Sequence, residues 1–113
     1  MSAENPLTVV SLCAQWCGVC RDWRDPFDRV AQSLPHVHWR WLDIEDEADL
    51  VDELDVETFP TLLVARGRDV LFFGPVLPQA GALTRLLVSL RDAAPASGAP
   101  AAALALWARL SRS

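Results

Sequence analysis

Two cysteines separated by two residues, Cys17 and Cys20, are the residues of this sequence best suited to covalent chemistry. Such a pair can close a small disulfide ring if the backbone turns into a helix there. The free N–H groups and the dipole of a helix N-terminus stabilise a thiolate, so we expect Cys17 to ionise more readily than an ordinary thiol. A thiolate attacks disulfides, and Cys20 can then attack the resulting mixed disulfide and release the product. The pair therefore predicts thiol–disulfide exchange.

A strand before this pair and a helix that begins with it must hold the two cysteines in place. The apolar run in Leu7–Cys13 predicts a buried strand, and the apolar spacing in Cys17–Leu34 predicts an amphipathic helix. Pro26 removes one backbone hydrogen bond inside that helix and should kink it, and Pro35 ends it. A strand that leads into Cys-x-x-Cys at a helix start is the context in which this motif indicates a redox pair.

The middle of the chain combines a second strand with a strongly acidic segment. Residues His36–Asp43 alternate between apolar and polar side chains and predict the strand, and residues 46–54 have the acidic start and apolar stripe of a helix. Residues 43–57 carry nine acids and no base. This segment is interpreted either as a solvated helix face or as a docking surface for a basic partner.

A hairpin and a helix follow. The runs Leu62–Ala65 and Val70–Phe73 predict two strands joined by a turn within Arg66–Asp69, with Gly74-Pro75 stopping the second strand. The apolar spacing in Gln79–Asp92 predicts the last helix of the domain. We therefore predict an α/β fold with the element order βαβαββα. Its first two strands should be parallel, and the hairpin must be antiparallel.

The chain is long enough for one domain with a core of its own. We assign residues 1–92 to this domain and residues 93–113 to an Ala/Pro-rich linker with a short helical tail. Residues 102–110 could form the tail helix, which is interpreted either as docked on its own domain (or frayed) or as a partner-binding or dimer-forming segment.

Composition excludes several classes of function. The net charge of −5 disfavours nucleic-acid binding, and no run approaches the ~20 apolar residues of a membrane span. The first six residues lack the basic start of a signal peptide, so we expect a cytoplasmic protein, and we expect a monomer. Three cysteines are too few, and odd in number, for a disulfide scaffold.

Three motifs resemble the thioredoxin family over roughly residues 7–92. They are Trp-Cys-Gly-x-Cys at residues 16–20, Phe-Pro-Thr-Leu at residues 59–62, and Gly74 after the hairpin. The resemblance implies a thioredoxin fold, in which a central four-stranded mixed sheet is flanked by helices. This chain begins close to the first core strand, so we expect it to lack the extra N-terminal strand and helix of full thioredoxins.

The resemblance also implies the roles of site residues. Cys17 would be the nucleophile, Cys20 the resolving thiol, and Pro60 a cis proline facing the disulfide, where the adjacent backbone can pair with an extended substrate. The substrate-binding groove implied in this way comprises Trp16, Gly18, Val19, Phe59, Pro60 and Thr61. The implied function is a protein disulfide oxidoreductase in electron transport and cell redox homeostasis. It would act on disulfide-containing client proteins, with electrons from a reductase or a low-molecular-weight thiol and with no bound cofactor or metal.

Three residues depart from the family pattern. Ser11 occupies the place of a buried aspartate that assists proton transfer to the resolving cysteine, so water or another acid must serve. Val19 replaces a proline and restores an N–H that could bind the Cys17 thiolate, which should make the pair more oxidising. Pro26 lies six residues after Cys20, one further than the kink proline of the family. These differences indicate a thioredoxin-like protein with its own clients.

Other interpretations of the cysteines remain open. The spacing of Cys13, Cys17 and Cys20 resembles the iron–sulfur motif of radical S-adenosylmethionine enzymes, although those enzymes need a larger barrel than this chain supplies. Zinc could be bound by the same cysteines with His36 or His38, which we expect instead to be exposed strand residues. Cys13 is interpreted as a small buried apolar residue or as a thiol with a secondary redox role. A redox-inert module that only binds partners is the remaining class.

Overall fold

The computed structural model describes residues 7–14, 18–46, 60–91 and 100–112. Its elements, in chain order, are β1 (Leu7–Cys13), α1 (Gly18–Ser33), β2 (His38–Asp43), β3 (Thr61–Arg66), β4 (Asp69–Pro75), α2 (Ala80–Leu90) and α3 (Ala101–Arg112). The predicted helix start at Cys17 and nearly all of the predicted helix over residues 46–54 lie outside the described residues. None of the described helices is both long and apolar enough to cross a membrane.

The four strands form one mixed sheet in the order β2-β1-β3-β4. Strand β1 is parallel to β2 and antiparallel to β3, and β3 is antiparallel to β4. The predicted parallel first pair and antiparallel hairpin are therefore confirmed. Because β1 lies inside the sheet and is covered on both faces, its sequence is a nearly continuous apolar run.

The residues of β1 alternate between two faces of the sheet. We call the side with Val9 and Cys13 the sulfur face, and the side with Val10 and Leu12 the tail face. Helices α1 and α2 cover the sulfur face. The buried helical residues there are Cys20, Trp23, Phe27 and Val30 of α1 and Leu83, Leu87 and Leu90 of α2.

Helix α3 covers the tail face, which favours the interpretation that the tail docks on its own domain. Its buried residues Ala103, Leu106, Trp107 and Leu110 pack with the β-strand residues of that face. The indole Nε1 of Trp107 donates a hydrogen bond to the carbonyl oxygen of Gly67 at 3.0 Å. Gly67 lies in the β3–β4 turn with φ of 61°, a conformation that glycine adopts without steric cost.

Strand β4 is longer than the sequence predicts. Gly74 and Pro75 were expected to stop it, but they lie in register opposite Leu62 and Thr61. Strand β4 is at an edge of the described sheet, where a proline without an N–H is tolerated. The prediction was therefore wrong by these two residues.

Candidate functional site

The described part of the Cys-x-x-Cys motif begins at Gly18, which opens α1. Gly18 and Val19 are exposed, Val19 to 44%, whereas Cys20 in the same turn is only 2% exposed. A Cβ added to Gly18 would meet no described atom within 4 Å. The helix start is therefore open on its outer side and packed against the sheet on its inner side. Trp16 and Cys17 lie outside the described residues.

The sulfur atom of Cys20 lies at disulfide-bonding distance from that of Cys13, at the end of β1. Their Cα atoms are 5.8 Å apart, which is within the usual range for a disulfide. Cys13 is 1% exposed, so the predicted burial of Cys13 is confirmed, and its sulfur has a partner that the sequence motif does not indicate. The pairing of Cys17 with Cys20 stays a prediction.

A buried polar network stands beside this sulfur pair. The indole Nε1 of Trp23 donates a hydrogen bond to the Ser11 hydroxyl at 3.1 Å, and the Ser11 Oγ is 3.8 Å from the Cys13 Sγ. Ser11 is completely buried. Because its oxygen accepts the indole proton, its own proton is available to the sulfur. Ser11 thus connects α1 to the end of β1.

A cleft of about 580 Å³ opens where the ends of β1 and β2 meet the first turns of α1. The guanidinium of Arg24 is held over the ring of Trp41, 4.6 Å from its centroid, and Arg24 Nε is 3.3 Å from an Asp28 carboxylate oxygen. The described residues that line the cleft are Cys13, Ala14, Cys20, Arg21, Arg24, Trp41 and Asp43. The two cysteines therefore line a cleft that charged side chains also line.

Four aromatic residues of β2 and β4 are packed along the sheet. Trp39, Trp41 and Phe72 pack on the sulfur face and Phe73 on the tail face. The ring of Phe27 lies 5.4 Å from those of Trp39 and Trp41, between centroids, in edge-to-face geometry. This cluster fixes α1, and with it Cys20, against the sheet.

Pro60 and Thr61 are both buried and lie at the same end of the sheet as the cysteines. Thr61 pairs with Leu12 in the antiparallel register. Pro60 precedes Thr61 and Cys13 follows Leu12, so Pro60 and Cys13 lie at the same end of these two strands. The Pro60 carbonyl accepts a hydrogen bond from the N–H of Val76 at 3.1 Å. Phe59 lies outside the described residues.

Metal ligands are not assembled in the described ranges. No group of three or more His, Cys, Asp or Glu residues there could hold an ion. His36 and His38 are both exposed, as predicted. His38 begins β2, whereas His36 lies in the turn before it, so the predicted start of this strand at His36 was wrong by two residues. The alternative of a cluster held by Cys13, Cys17 and Cys20 depends on Cys17, which is not described.

Comparison with known proteins identifies the family. The thioredoxin family model matches residues 1–74 of this chain. An H-type thioredoxin of Fagopyrum esculentum is 32% identical over 68 residues, which are 59% of this chain and 59% of that protein. Thioredoxin H2 of Arabidopsis thaliana is 34% identical over 68 residues, 59% of this chain and 51% of that protein. The chain thus spans between half and two thirds of these relatives.

Solved structures have the same fold. The thioredoxin of Fasciola hepatica aligns with a TM-score of 0.68 and 21% identity over 76% of this chain and 82% of its own. The germline-specific thioredoxin Deadhead of Drosophila melanogaster aligns with a TM-score of 0.67 and 21% identity, over 76% of this chain and 82% of its own. With the family match over residues 1–74 and a sulfur pair at the start of α1, this chain belongs to the thioredoxin family of redox proteins.

Proposed function

We propose that this chain is a thiol–disulfide oxidoreductase that reduces or exchanges disulfides of client proteins. Cys17 attacks the client disulfide, and Cys20 resolves the mixed disulfide. The observation that carries this proposal is the position of Cys20, in the first turn of α1 with its sulfur at bonding distance from another sulfur. A cysteine in that position is already placed to make and break sulfur–sulfur bonds.

The charges at the start of α1 support a thiolate at Cys17. The first turn of this helix contains no acidic residue, and Arg21 follows Cys20 directly. Free backbone N–H groups and a nearby guanidinium both favour an anionic sulfur. No cofactor is needed for the exchange, since the electrons move between sulfur atoms.

The exposed surface around the helix start supports binding of an extended client segment. Gly18 has open space above it, and Val19 presents an exposed apolar side chain. Pro60 and Thr61 lie at the same end of the sheet as Cys13. Together with Trp16 and Phe59, they would form the other side of the groove. A client backbone could therefore approach Cys17 along the outer side of the helix start.

The electron source, location and assembly complete the proposal. A reductase or a low-molecular-weight thiol returns the electrons, and the protein acts as a cytoplasmic monomer. Two rates of reduction of the oxidised protein identify the source: the rate with glutathione alone, and the rate with a cell extract depleted of small thiols. Cell fractionation tests the cytoplasmic location, and light scattering tests whether the mass is that of a monomer.

Turnover of a fluorescent peptide disulfide tests the central reaction. We expect Cys17→Ser to lower the rate at least about 100-fold, because the nucleophile is removed. Cys20→Ser should accumulate a mixed disulfide with the peptide, which intact mass detects. Val88→Ala, at an exposed position on α2, is the matched surface control and should keep the wild-type rate.

Full peptide turnover by Cys17→Ser would contradict the proposal. If replacing both Cys17 and Cys20 by serine leaves the cellular activity intact, the chain is an interaction module instead. Metal that co-purifies with the cysteines would indicate the iron–sulfur or zinc alternative.

A further inference from the structure

We infer that Cys13 is a third redox-active cysteine, and that the oxidised protein interconverts between a Cys13–Cys20 and a Cys17–Cys20 disulfide. The first form rests on the observed contact of the Cys13 and Cys20 sulfurs. The second form rests on the proposed function. Cys20 is then the shared partner of two cysteines: Cys13 at the end of β1, and Cys17, three residues earlier in the sequence.

The interconversion is an internal thiol–disulfide exchange. The thiolate of Cys17 attacks the Sγ of Cys20, a Cys17–Cys20 bond forms, and the Cys13–Cys20 bond breaks. The electron pair of the broken bond leaves on the Cys13 sulfur, which takes up the proton that Cys17 has lost. The protein is neither oxidised nor reduced in this step, so no outside reagent is needed.

The surroundings of Cys13 suit a leaving group. The Ser11 hydroxyl accepts the Trp23 indole N–H and keeps its own proton for the Cys13 sulfur, 3.8 Å away. A hydroxyl proton directed at a thiolate stabilises the negative charge. Ser11 is therefore a positioning residue for Cys13: it stabilises the thiolate by a hydrogen bond and does not transfer its proton.

Burial gives the Cys13–Cys20 form a distinct property. The two cysteines are 1% and 2% exposed and line the cleft, so the described residues leave a thiol from solution little access to their sulfurs. Cys17 is three residues before Cys20 in the chain and can attack from within the protein. Electrons are therefore expected to enter through Cys17 and to reach Cys13 through Cys20, and the Cys13–Cys20 disulfide stores oxidising equivalents away from bulk thiols.

Reduction of the Cys17→Ser and Cys17→Ala variants by glutathione tests this route. After oxidation with a diamide reagent, peptide mapping should find a Cys13–Cys20 disulfide in both variants. We expect glutathione to reduce it at least about 10-fold more slowly than it reduces the oxidised wild type, because the internal attack is lost. In guanidinium chloride the difference should disappear, since unfolding exposes both sulfurs. Cys13→Ser is the opposite comparison: it cannot form the buried disulfide, so glutathione should reduce it at least as fast as the wild type.

Two results would overturn the inference. One is the absence of a Cys13–Cys20 disulfide in both Cys17 variants. The other is reduction of that disulfide at the wild-type rate in the folded protein, which would mean that glutathione enters directly through the cleft. Failure of the proposed function is a separate result, because it requires that Cys13→Ser, which keeps Cys17 and Cys20, cannot turn over the peptide disulfide.

Discussion

The two faces of the sheet are built from alternate residues of the same strands, yet they differ in chemistry. The sulfur face holds Cys13 and Cys20, a buried Ser11–Trp23 hydrogen bond and a cluster of aromatic rings. The tail face, under α3, is packed mainly with aliphatic side chains. Among the described residues, the cysteines therefore lie where α1 begins beside the end of β1. The difference indicates that the tail face contributes stability, whereas the sulfur face contributes stability and also holds the sulfur pair on which the proposed exchange depends.

The largest effect should come from a cavity on the tail face. Leu106 is fully buried under α3, so Leu106→Ala should lower the free energy of unfolding by about 2–5 kcal/mol. Its folded fraction should still exchange disulfides at the wild-type rate. Denaturant unfolding and peptide-disulfide turnover measure the two effects. The control Leu104→Ala, at a 48% exposed position of the same helix, should change stability by less than about 0.5 kcal/mol.

A smaller loss is expected from the polar network of the sulfur face. Ser11→Ala leaves the Trp23 indole N–H without its acceptor, which should cost about 1–3 kcal/mol. Part of this loss should be recovered in the double variant with Trp23→Phe, which removes the donor. Ser89→Ala on α2, whose hydroxyl donates to the Leu86 carbonyl at an exposed site, should have a much smaller effect. Equal losses for the two serine variants would contradict the structural role of Ser11.

Two indole hydrogen bonds allow the faces to be compared directly. Trp107 donates to Gly67 on the tail face at 3.0 Å, and Trp39 donates to the Leu34 carbonyl on the sulfur face at 3.1 Å. Each Trp→Phe variant should lose about 0.5–1.5 kcal/mol of stability. Thermal unfolding of both proteins checks this. A loss confined to Trp39→Phe would mean that α3 is not docked on the sheet in solution.

The smallest effect is expected at the wall of the cleft. Arg24→Ala removes a half-exposed ion pair with Asp28 and the stacking on Trp41, together about 0.5–1 kcal/mol. High salt should reduce the ion-pair part of this difference. Denaturant titrations at low and high salt measure it, with Arg29→Ala, at an exposed position of the same helix, as the control. A difference that grows with salt would contradict the assignment.

Most of the fold follows from the sequence because local patterns determine it. The apolar run of β1 and the helical spacing of α1 predict the bounds of both elements to within a residue where they are described. The extension of β4 through Pro75 could not be predicted, because it depends on β4 being at a sheet edge. That position becomes known only once the strands are ordered.

The site is less predictable, because its key contact joins two elements. Strand alternation places Cys13 on the same face as Val9, and helical spacing places Cys20 on the same face as Trp23 and Phe27. These two patterns together indicate that Cys13 faces α1 and that Cys20 faces β1. They do not give the distance between the sulfurs, which depends on how α1 packs across β1. The Cys-x-x-Cys motif indicates Cys17 as the partner of Cys20, so the Cys13–Cys20 contact becomes evident only from the structure.

A redox titration of the wild-type protein in dithiothreitol buffers, followed by alkylation under denaturing conditions and intact mass, tests the central claim most directly. We predict one two-electron transition, with three alkylatable thiols when reduced and one when oxidised. Val19 supplies an N–H where the family pattern has a proline, and this N–H could bind the Cys17 thiolate. The midpoint potential should therefore be more oxidising than about −270 mV. Three alkylatable thiols under all conditions would contradict redox chemistry at Cys20.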